Sequence, residues 1–226
     1  MKLIVFSCKY PDLLPHFAVQ LKKYYADSIE VIVLSNKDLP SLPDNFSHYR
    51  LPSYTESWVD DIYPFFEQFD EHLFLSCMED HFLYDYVDMS VIGDALALFD
   101  WEHIDKFGFQ IGPRGGSKRY NVDPVYHEMH IGCNLASSLQ PAIWKTDYFK
   151  KILDASRGLN AWDFETQNKN PELVVDHTVL YKESPEPWPV ADVVRNSRSN
   201  REFWDKRLKC RDDREIFETA TAEIFG

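Results

Sequence analysis

Apolar residues in the first half of the chain alternate between continuous runs and helical spacing. The continuous runs at residues 2–7, 30–35 and 73–78 predict strands that are covered on both faces of a sheet. Between the runs, apolar side chains recur every three or four residues, which predicts amphipathic helices over residues 13–25 and 58–69. This alternation predicts an α/β fold with a mixed, mostly parallel sheet flanked by helices.

Capping residues predict where several of these helices begin. Asp12 can cap the first helix, and Ser53 with Glu56 has the spacing of a capping box before the second. Pro64 falls inside the second helical pattern and indicates a kink or a later start. Thr146 is predicted to cap a helix in the second half of the chain.

The second half is less regular than the first. A helix is predicted around residues 91–99 and a strand at 107–111, followed by short extended segments over 127–145. The last 26 residues are charged and helical in pattern. A chain of 226 residues fits one large domain better than two.

Composition excludes some classes of protein. The net charge of −13 argues against binding to nucleic acid, because phosphates require a basic face. Four widely spaced cysteines favour a reducing, cytoplasmic location with the thiols as small buried side chains. No apolar stretch approaches the roughly 20 residues of a membrane span.

The segment SCMEDHF (76–82) places two acids and a histidine directly after a predicted core strand. Ligands of parallel sheets bind beyond the carboxyl ends of the strands, where Ser7, Ser35, Glu79 and Asp80 would meet. One interpretation is a site for a divalent metal and a sugar nucleotide, since Mg²⁺ prefers carboxylate oxygen. The other is a solvated strand end without function.

Three stretches carry a resemblance to a known family. LFLSCMEDHFLYDYVD (73–88) resembles the segment of GT-A glycosyltransferases in which a strand ends in a DxD-like acidic motif. SSLQPAIWKTDYFKKIL (137–153) and AWDFE (161–165) resemble the SLQ-x-x-x-W and W-x-F-E patterns of a bacterial and viral GT-A-like group. The sequence departs from a strict Asp-x-Asp, because its triplet is Glu79-Asp80-His81.

The resemblance implies one GT-A, Rossmann-like domain over residues 1–226. Residues 1–100 would form the nucleotide-binding half, and 101–226 the acceptor half with a C-terminal helical segment. The donor would be a nucleotide-diphosphate sugar, held with a divalent metal, Mn²⁺ or Mg²⁺. The acceptor would be the hydroxyl of a saccharide or a lipid-linked sugar.

On the donor side, the resemblance implies that Ser7, Tyr10 and Ser35 line the nucleotide pocket. Glu79 and Asp80 would face the ribose and the metal.

Two later residues are also candidates for the donor side. Arg195 is the arginine best suited to pair with the diphosphate, since guanidinium groups bind phosphate oxygens in a bidentate way. His177 is a candidate metal ligand, because a late histidine often completes the metal shell in GT-A enzymes.

The acids of AWDFE are candidates for a general base. A carboxylate beside an aromatic wall is partly desolvated, which raises its pKa toward the working range. The resemblance favours Asp163 or Glu165 as the catalytic base for the acceptor hydroxyl, and a single base favours inversion. The alternative is that Trp162 and Phe164 are core residues and the acids belong to a helix N-terminus.

Two other functions stay open. A sugar nucleotidyltransferase would share the α/β fold, but it normally carries a glycine-rich phosphate loop after the first strand. Residues 7–12 read Ser-Cys-Lys-Tyr-Pro-Asp and contain no glycine. A catalytically silent carbohydrate-binding protein is the second alternative, because the acidic triplet departs from the family pattern.

Overall fold

The structure is a computed structural model of the 226-residue chain. The structure describes residues 1–7, 9–25, 28–52, 55–101, 104–109, 117–119, 126–129, 137–167, 178–182, 186–195, 198–201, 204–205, 208 and 211–225.

Strands and helices alternate through the first half. The strands are β1 (Lys2–Phe6), β2 (Val31–Ser35), β3 (Phe46–Arg50), β4 (Leu73–Met78), β5 (His81–Leu83), β6 (Ile104–Gly108), β7 (Ser117–Arg119), β8 (Tyr126–Met129), β9 (Ala142–Lys145), β10 (Thr178–Lys182), β11 (Val190–Asp192), β12 (Val194–Arg195) and β13 (Arg198–Ser199). The helices are α1 (Leu14–Tyr24), α2 (Trp58–Gln68), α3 (Met89–Trp101), α4 (Thr146–Ala155), α5 (Ala161–Gln167) and α6 (Arg211–Phe225), with a 3₁₀ turn at Pro11–Leu13.

The main sheet of the described chain has the strand order β3-β2-β1-β4-β9-β6-β10-β8-β7. Strands β3, β2, β1 and β4 are parallel neighbours, and β6 is parallel to β10. Strand β9 lies between β4 and β6 and runs antiparallel to both, while β8 runs antiparallel to β10 and β7. The predicted mixed, mostly parallel α/β sheet is therefore confirmed, and its arrangement is Rossmann-like.

Hydrophobic side chains cover both faces of the sheet. One face packs against α1, α3 and α6, and the other packs against α2, α4 and α5. The second layer is rich in aromatic rings, and Phe66 lies between 4.7 and 6.4 Å (centroid to centroid) from Phe6, Phe74 and Phe149. Because both faces are covered, β1, β2 and β4 can be continuous apolar runs. No helix in the described part of the chain combines the length and apolar character needed to cross a membrane.

The predicted helix caps were wrong in detail. Asp12 does not cap α1, because Pro11 starts a 3₁₀ turn before it and the α-helix follows at Leu14. Ser53 lies outside the described residues, and Ser57 caps α2 by accepting a hydrogen bond from the Asp60 N–H at 3.1 Å. Thr146 is the first residue of α4 rather than its cap.

Two predicted elements differ in detail from the structure. Pro64 lies inside α2, which continues without a break in assignment to Gln68. The strand predicted at 107–111 is β6, Ile104–Gly108. Its first half was missed because Asp105 and Lys106 are charged yet buried, which an apolar pattern does not show.

A buried carboxylate joins α6 to α1. Asp213 is 1% exposed, and it accepts hydrogen bonds from Lys23 Nζ at 2.8 Å, from Gln20 Nε2 at 3.1 Å and from the Tyr24 hydroxyl. Burial, together with this carboxylate, raises the pKa of Tyr24 to about 12. Three donors stabilise this buried charge, and removing the carboxylate takes away the acceptor that the buried Gln20 and Tyr24 side chains share.

We expect Asp213→Ala to lower the free energy of unfolding by about 3 kcal/mol, because it leaves buried donors without an acceptor. Asp212→Ala is the matched control, since the neighbouring side chain is exposed, and its effect should stay below about 0.5 kcal/mol. Urea unfolding followed by circular dichroism measures both. Equal effects of the two substitutions would contradict the role of Asp213.

Candidate functional site

The carboxyl ends of β1, β2 and β4 meet at one edge of the sheet. The Ser7 N–H donates to the Leu34 carbonyl at 2.9 Å, and the Glu79 N–H donates to the Phe6 carbonyl at 3.3 Å. Ser35 ends β2 beside them. Three of the residues predicted for the donor site are thus brought together at this edge, which is where ligands of such sheets bind.

Glu79 is buried under the turn that follows β1. Its Oε1 atom accepts hydrogen bonds from the backbone N–H of Tyr10 at 2.9 Å and of Lys9 at 3.2 Å. Burial raises the pKa of Glu79, while these two N–H groups and the charge of Lys37 oppose the shift. The Glu79 carboxylate therefore fixes the path of the turn, and Tyr10 contributes its backbone to that contact.

Two polar atoms at this edge are buried without a partner in the described chain. They are the Ser7 hydroxyl and Oδ1 of Asn36, the residue directly after β2. The Ser35 hydroxyl differs, because it accepts a hydrogen bond from the Lys37 N–H at 3.1 Å. Unpaired buried polar atoms are costly and uncommon, so Ser7 and Asn36 mark a place suited to a polar ligand. Asn36 was missed from the sequence, although it directly follows the predicted strand at 30–35.

Asp80 lies in a second group of side chains with His81 and Asp192. Strand β11 pairs with β5 so that Asp192 is opposite His81. Nε2 of His81 lies 3.6 Å from Oδ1 of Asp192 and 4.0 Å from Oδ1 of Asp80. Nδ1 of His81 accepts the Met78 N–H at 3.2 Å, which assigns the ring proton of the neutral imidazole to Nε2, facing both acids.

Electrostatics differ among these three groups. Burial raises the pKa of Asp80 well above its usual value, and the charges of Glu79 and Asp192 add to the shift. Burial also lowers the pKa of His81, against the opposing charge of Asp192. The lowered pKa of His81 favours its neutral form, which does not compensate the acids, and the charge of Lys9 opposes the upward shift at Asp80.

This donor set fits a divalent ion only with help from a substrate. No group of three His, Cys, Asp or Glu side chains within the described residues is arranged to hold a metal alone. Asp80 retains 20% side-chain exposure, whereas Glu79 is buried on backbone N–H groups. Mg²⁺ typically binds through one or two carboxylates and substrate phosphates, which suits a site based on Asp80.

Glu165 extends from α5 into a turn before β9. Its Oε1 atom accepts hydrogen bonds from the Leu139 N–H at 2.6 Å and the Ser138 hydroxyl at 3.2 Å. Its second oxygen, Oε2, accepts no hydrogen bond from a described residue. Burial raises the pKa of Glu165, as does the charge of Asp192, while the two hydrogen bonds and Lys106 oppose the shift.

Asp163 has a different environment from Glu165. Its N–H donates to Oδ1 of Asn160 at 2.9 Å, and its carboxylate accepts from Nδ2 of the same residue at 2.8 Å. This reciprocal pair is a capping arrangement at the start of α5. Of the neighbouring aromatic residues, Phe164 is core, but Trp162 is 69% exposed.

Lys106 is a buried lysine that the sequence analysis missed. Its ammonium donates to the Ser138 carbonyl at 2.7 Å and lies 4.1 Å from the ring centre of Trp144. Burial lowers the pKa of Lys106 to about 7, against the opposing charge of Glu165. The signal in the sequence was a lone lysine within the apolar stretch IDKFGF (104–109).

The remaining predicted site residues can be placed only in part. Arg195 is in β12, and its backbone pairs with Arg198 of β13. The Arg195 side chain lies outside the described part of the structure. His177 lies outside the described residues.

Comparisons with known proteins add information on the fold. No protein-family model and no curated protein matches the sequence. The structure is similar to apo UDP-glucose pyrophosphorylase, with a TM-score of 0.53, 10% identity, and coverage of 92% of this chain and 100% of that one.

Two further solved structures are more distant. S. aureus TarS 1–349 has a TM-score of 0.48 and 16% identity, with coverage of 83% of this chain and 62% of that one; it was also solved with UDP-GlcNAc. A cytidylyltransferase from Leptospira borgpetersenii has a TM-score of 0.48 and 10% identity, over 96% of this chain and 95% of that one. This chain spans less than two thirds of the TarS chain. At these identities the likeness to the pyrophosphorylase shows a shared Rossmann-like fold alone.

The buried Lys106 predicts a specific pH dependence of stability. Between about pH 7 and its usual value of 10.5, Lys106 holds its proton in the unfolded chain more than in the folded one. The free energy of unfolding should therefore rise with pH in that window through this group, by up to about 1.4 kcal/mol per pH unit. Lys106→Met has no ionisable group at this position, so the free energy of unfolding of wild type minus that of the variant should become more positive from about pH 7 to about pH 9.

Urea unfolding at the two pH values measures that difference. Lys145→Met serves as the comparison, because Lys145 is on the adjacent strand and its ammonium lies 3.7 Å from Asp105. If both variants showed the same slope with pH, burial of Lys106 would not be its cause.

Proposed function

We propose that the chain is a glycosyltransferase that moves a sugar from a nucleotide-diphosphate sugar to a hydroxyl acceptor. The observation that carries the proposal is the Glu165 carboxylate, which is mostly buried, has a raised pKa and, among the described residues, is held through one oxygen only. A carboxylate of this kind suits a general base, since it has an oxygen available to take a proton. Transfer to a neutral hydroxyl requires such a base.

On the donor side, the nucleotide would lie over the carboxyl ends of β1 and β2. The unpaired Ser7 hydroxyl and Asn36 Oδ1 would hydrogen-bond to it, with Tyr10 and Ser35 nearby. Arg195 is proposed to bind the diphosphate. Residues 1–100 would then form the nucleotide-binding half of a single domain, and 101–226 the acceptor half.

A divalent ion, Mn²⁺ or Mg²⁺, would be held by Asp80 together with the diphosphate. Glu79 would act by shaping the turn after β1, and His177 is proposed as a further ligand. When bound, the ion would neutralise the charge of the departing nucleoside diphosphate. The 20% side-chain exposure of Asp80 supports this assignment, because its carboxylate is open to a bound ion, and a cation there would favour its ionised form.

On the acceptor side, Glu165 is preferred over Asp163 as the base. The Asp163 carboxylate is engaged by Asn160 in the cap of α5, whereas Oε2 of Glu165 has no described partner. Glu165 would take the proton of the acceptor hydroxyl as that oxygen attacks the anomeric carbon. A single displacement with one base inverts the anomeric configuration. The acceptor is proposed to be a saccharide or a lipid-linked sugar.

Sugar nucleotidyl transfer is the second candidate, favoured by the structural likeness to UDP-glucose pyrophosphorylase. The turn after β1 argues against it. A phosphate loop presents its backbone N–H groups to phosphate, but here the N–H groups of Lys9 and Tyr10 donate to Glu79. A sugar phosphate is also already an anion, so nucleotidyl transfer would not require Glu165 as a general base.

We expect Glu165→Gln to lower kcat for sugar transfer by about 10²- to 10⁴-fold, because the general base is lost. Asp163→Asn should retain most activity, since Asn160 still caps α5 and the new side-chain oxygen can still accept its hydrogen bond. The assay incubates the protein with UDP-glucose, UDP-GlcNAc and guanosine and thymidine diphosphate sugars, Mn²⁺ or Mg²⁺, and saccharide acceptors. It measures both free nucleoside diphosphate and pyrophosphate, which separates glycosyl from nucleotidyl transfer.

The glycosyltransferase proposal fails if no donor releases nucleoside diphosphate and none raises the melting temperature. Pyrophosphate-dependent formation of nucleotide sugar would instead support the second candidate. A loss of activity in Asp163→Asn as large as that in Glu165→Gln would remove the preference for Glu165.

Donor binding tests Asp80 separately from catalysis. We expect Asp80→Asn to weaken metal-dependent binding of a nucleoside diphosphate by about tenfold or more, because one charged ligand of the ion is lost. Isothermal titration with and without Mg²⁺ measures the effect, and Asp85→Asn, an exposed acid beyond β5, is the control. Equal binding by wild type and Asp80→Asn would remove Asp80 from the metal site.

A further inference from the structure

Lys106 is an uncommon residue for its position. It lies in β6 in the middle of the sheet, it is 1% exposed, and its ammonium faces Trp144 and the turn at residues 137–141. Burying an ammonium is costly, and a methionine or leucine would fill a similar volume at lower cost. The position of the charge therefore calls for an explanation beyond packing.

The hydrogen bonds of Lys106 lead to Glu165 in two steps. The ammonium donates to the carbonyl of Ser138 at 2.7 Å. The same residue donates its hydroxyl to Oε1 of Glu165 at 3.2 Å, and the next residue, Leu139, donates its N–H to that oxygen at 2.6 Å. Lys106 thus binds a carbonyl of the same turn that donates two hydrogen bonds to Glu165.

We propose that Lys106 is the positioning residue for Glu165: it holds the Ser138–Leu139 turn in place, and its protonated ammonium favours the ionised form of the Glu165 carboxylate. This role rests on the proposed function of Glu165 as the general base. In this role of Lys106, Oε1 of Glu165 stays bound to the turn, and Oε2 of Glu165 stays directed to the acceptor hydroxyl. Lys106 acts through Glu165 and has no contact with substrate.

The charges around Glu165 support this role. Asp192 on β11 is a negative charge that disfavours ionisation of Glu165, and burial acts in the same direction. Among the described groups that shift the pKa of Glu165, Lys106 is the positive charge that opposes both. Without it, a buried carboxylate near a second acid would hold its proton to higher pH and be a poorer base at neutral pH.

A purely structural role for Lys106 predicts different effects of its substitution. If the lysine only ties the turn to β6, its loss would affect stability and every step of turnover in a similar way. If it positions and charges Glu165, its loss would change the titration of that carboxylate. The two roles can therefore be distinguished by measurements on Glu165 itself.

The first experiment needs no catalytic activity. Carboxyl resonances of ¹³C-labelled glutamate are followed with pH in wild type and in Lys106→Met, and Glu165→Gln assigns the Glu165 signal. We expect the pKa of Glu165 to rise by about one unit or more in Lys106→Met, because the neighbouring positive charge is gone. Lys106→Arg retains the charge and should titrate close to wild type.

Ser138→Ala provides a second variant if Lys106→Met does not fold. It removes one donor to Oε1 and should shift the same pKa upward by a smaller amount. Lys145→Met is the matched control on the adjacent strand. An unchanged Glu165 titration in both Lys106→Met and Ser138→Ala would overturn the proposal.

The second experiment uses transfer activity in a double-mutant cycle. We expect Lys106→Met to lower kcat about 10- to 100-fold, with the donor KM changed less than about threefold, and to move the acidic limb of the kcat–pH profile to higher pH. In the Glu165→Gln background, Lys106→Met should cost less than about threefold more, because its effect passes through Glu165. Equal losses in the two backgrounds would contradict the proposal.

The two experiments distinguish failure of the proposed function from failure of the proposed role of Lys106. A shifted Glu165 titration in a protein that transfers no sugar would retain the Lys106–Glu165 relation and reject the proposed function. An active enzyme with an unshifted titration would retain the function and reject the role of Lys106.

Discussion

The contact between the Glu79 carboxylate and the backbone of residues 9 and 10 determines the shape of the candidate site. It is a negative charge placed at the end of β4, under the turn that follows β1. Two N–H groups that a phosphate loop would offer to a ligand are here used internally. The chain can therefore make this turn without glycine, and under the proposed function the donor would be bound by side chains such as Ser7, Asn36 and Asp80.

Neighbouring acids at this edge acquire different chemistry from their different partners. Glu79 is held by backbone N–H groups, and Asp192 lies against His81 on the paired strands β5 and β11. Asp80 retains partial exposure with a raised pKa, while Glu165 is anchored by one oxygen. Since neighbouring like charges cannot all be ionised cheaply, burial and the charge of Asp192 both raise the pKa values of Asp80 and Glu165.

The sequence predicted the elements whose evidence is local and missed contacts that depend on the folded chain. Strand β4 was predicted with its observed bounds, because a continuous apolar run ending in acids is a strong local signal. Lys106 hid the first half of β6, since a buried charge contradicts the apolar pattern and its partner Ser138 lies far along the chain. Asp192 was missed because its neighbour His81 belongs to another strand. The roles of Asp163 and Glu165 could not be separated in sequence because the difference lies in Asn160 and Leu139.

The antiparallel strand β9 explains why three separated sequence stretches form one unit. It lies between β4 and β6, so that Nε1 of Trp144 donates to the Ser76 hydroxyl of β4 at 2.9 Å. The turn leading into β9 in turn holds Glu165 of α5. The segments around residues 76, 144 and 165 are thus joined by direct hydrogen bonds and by the sheet itself. A change in any one of them alters the geometry of the others, which is a physical reason for these stretches to occur together in one chain.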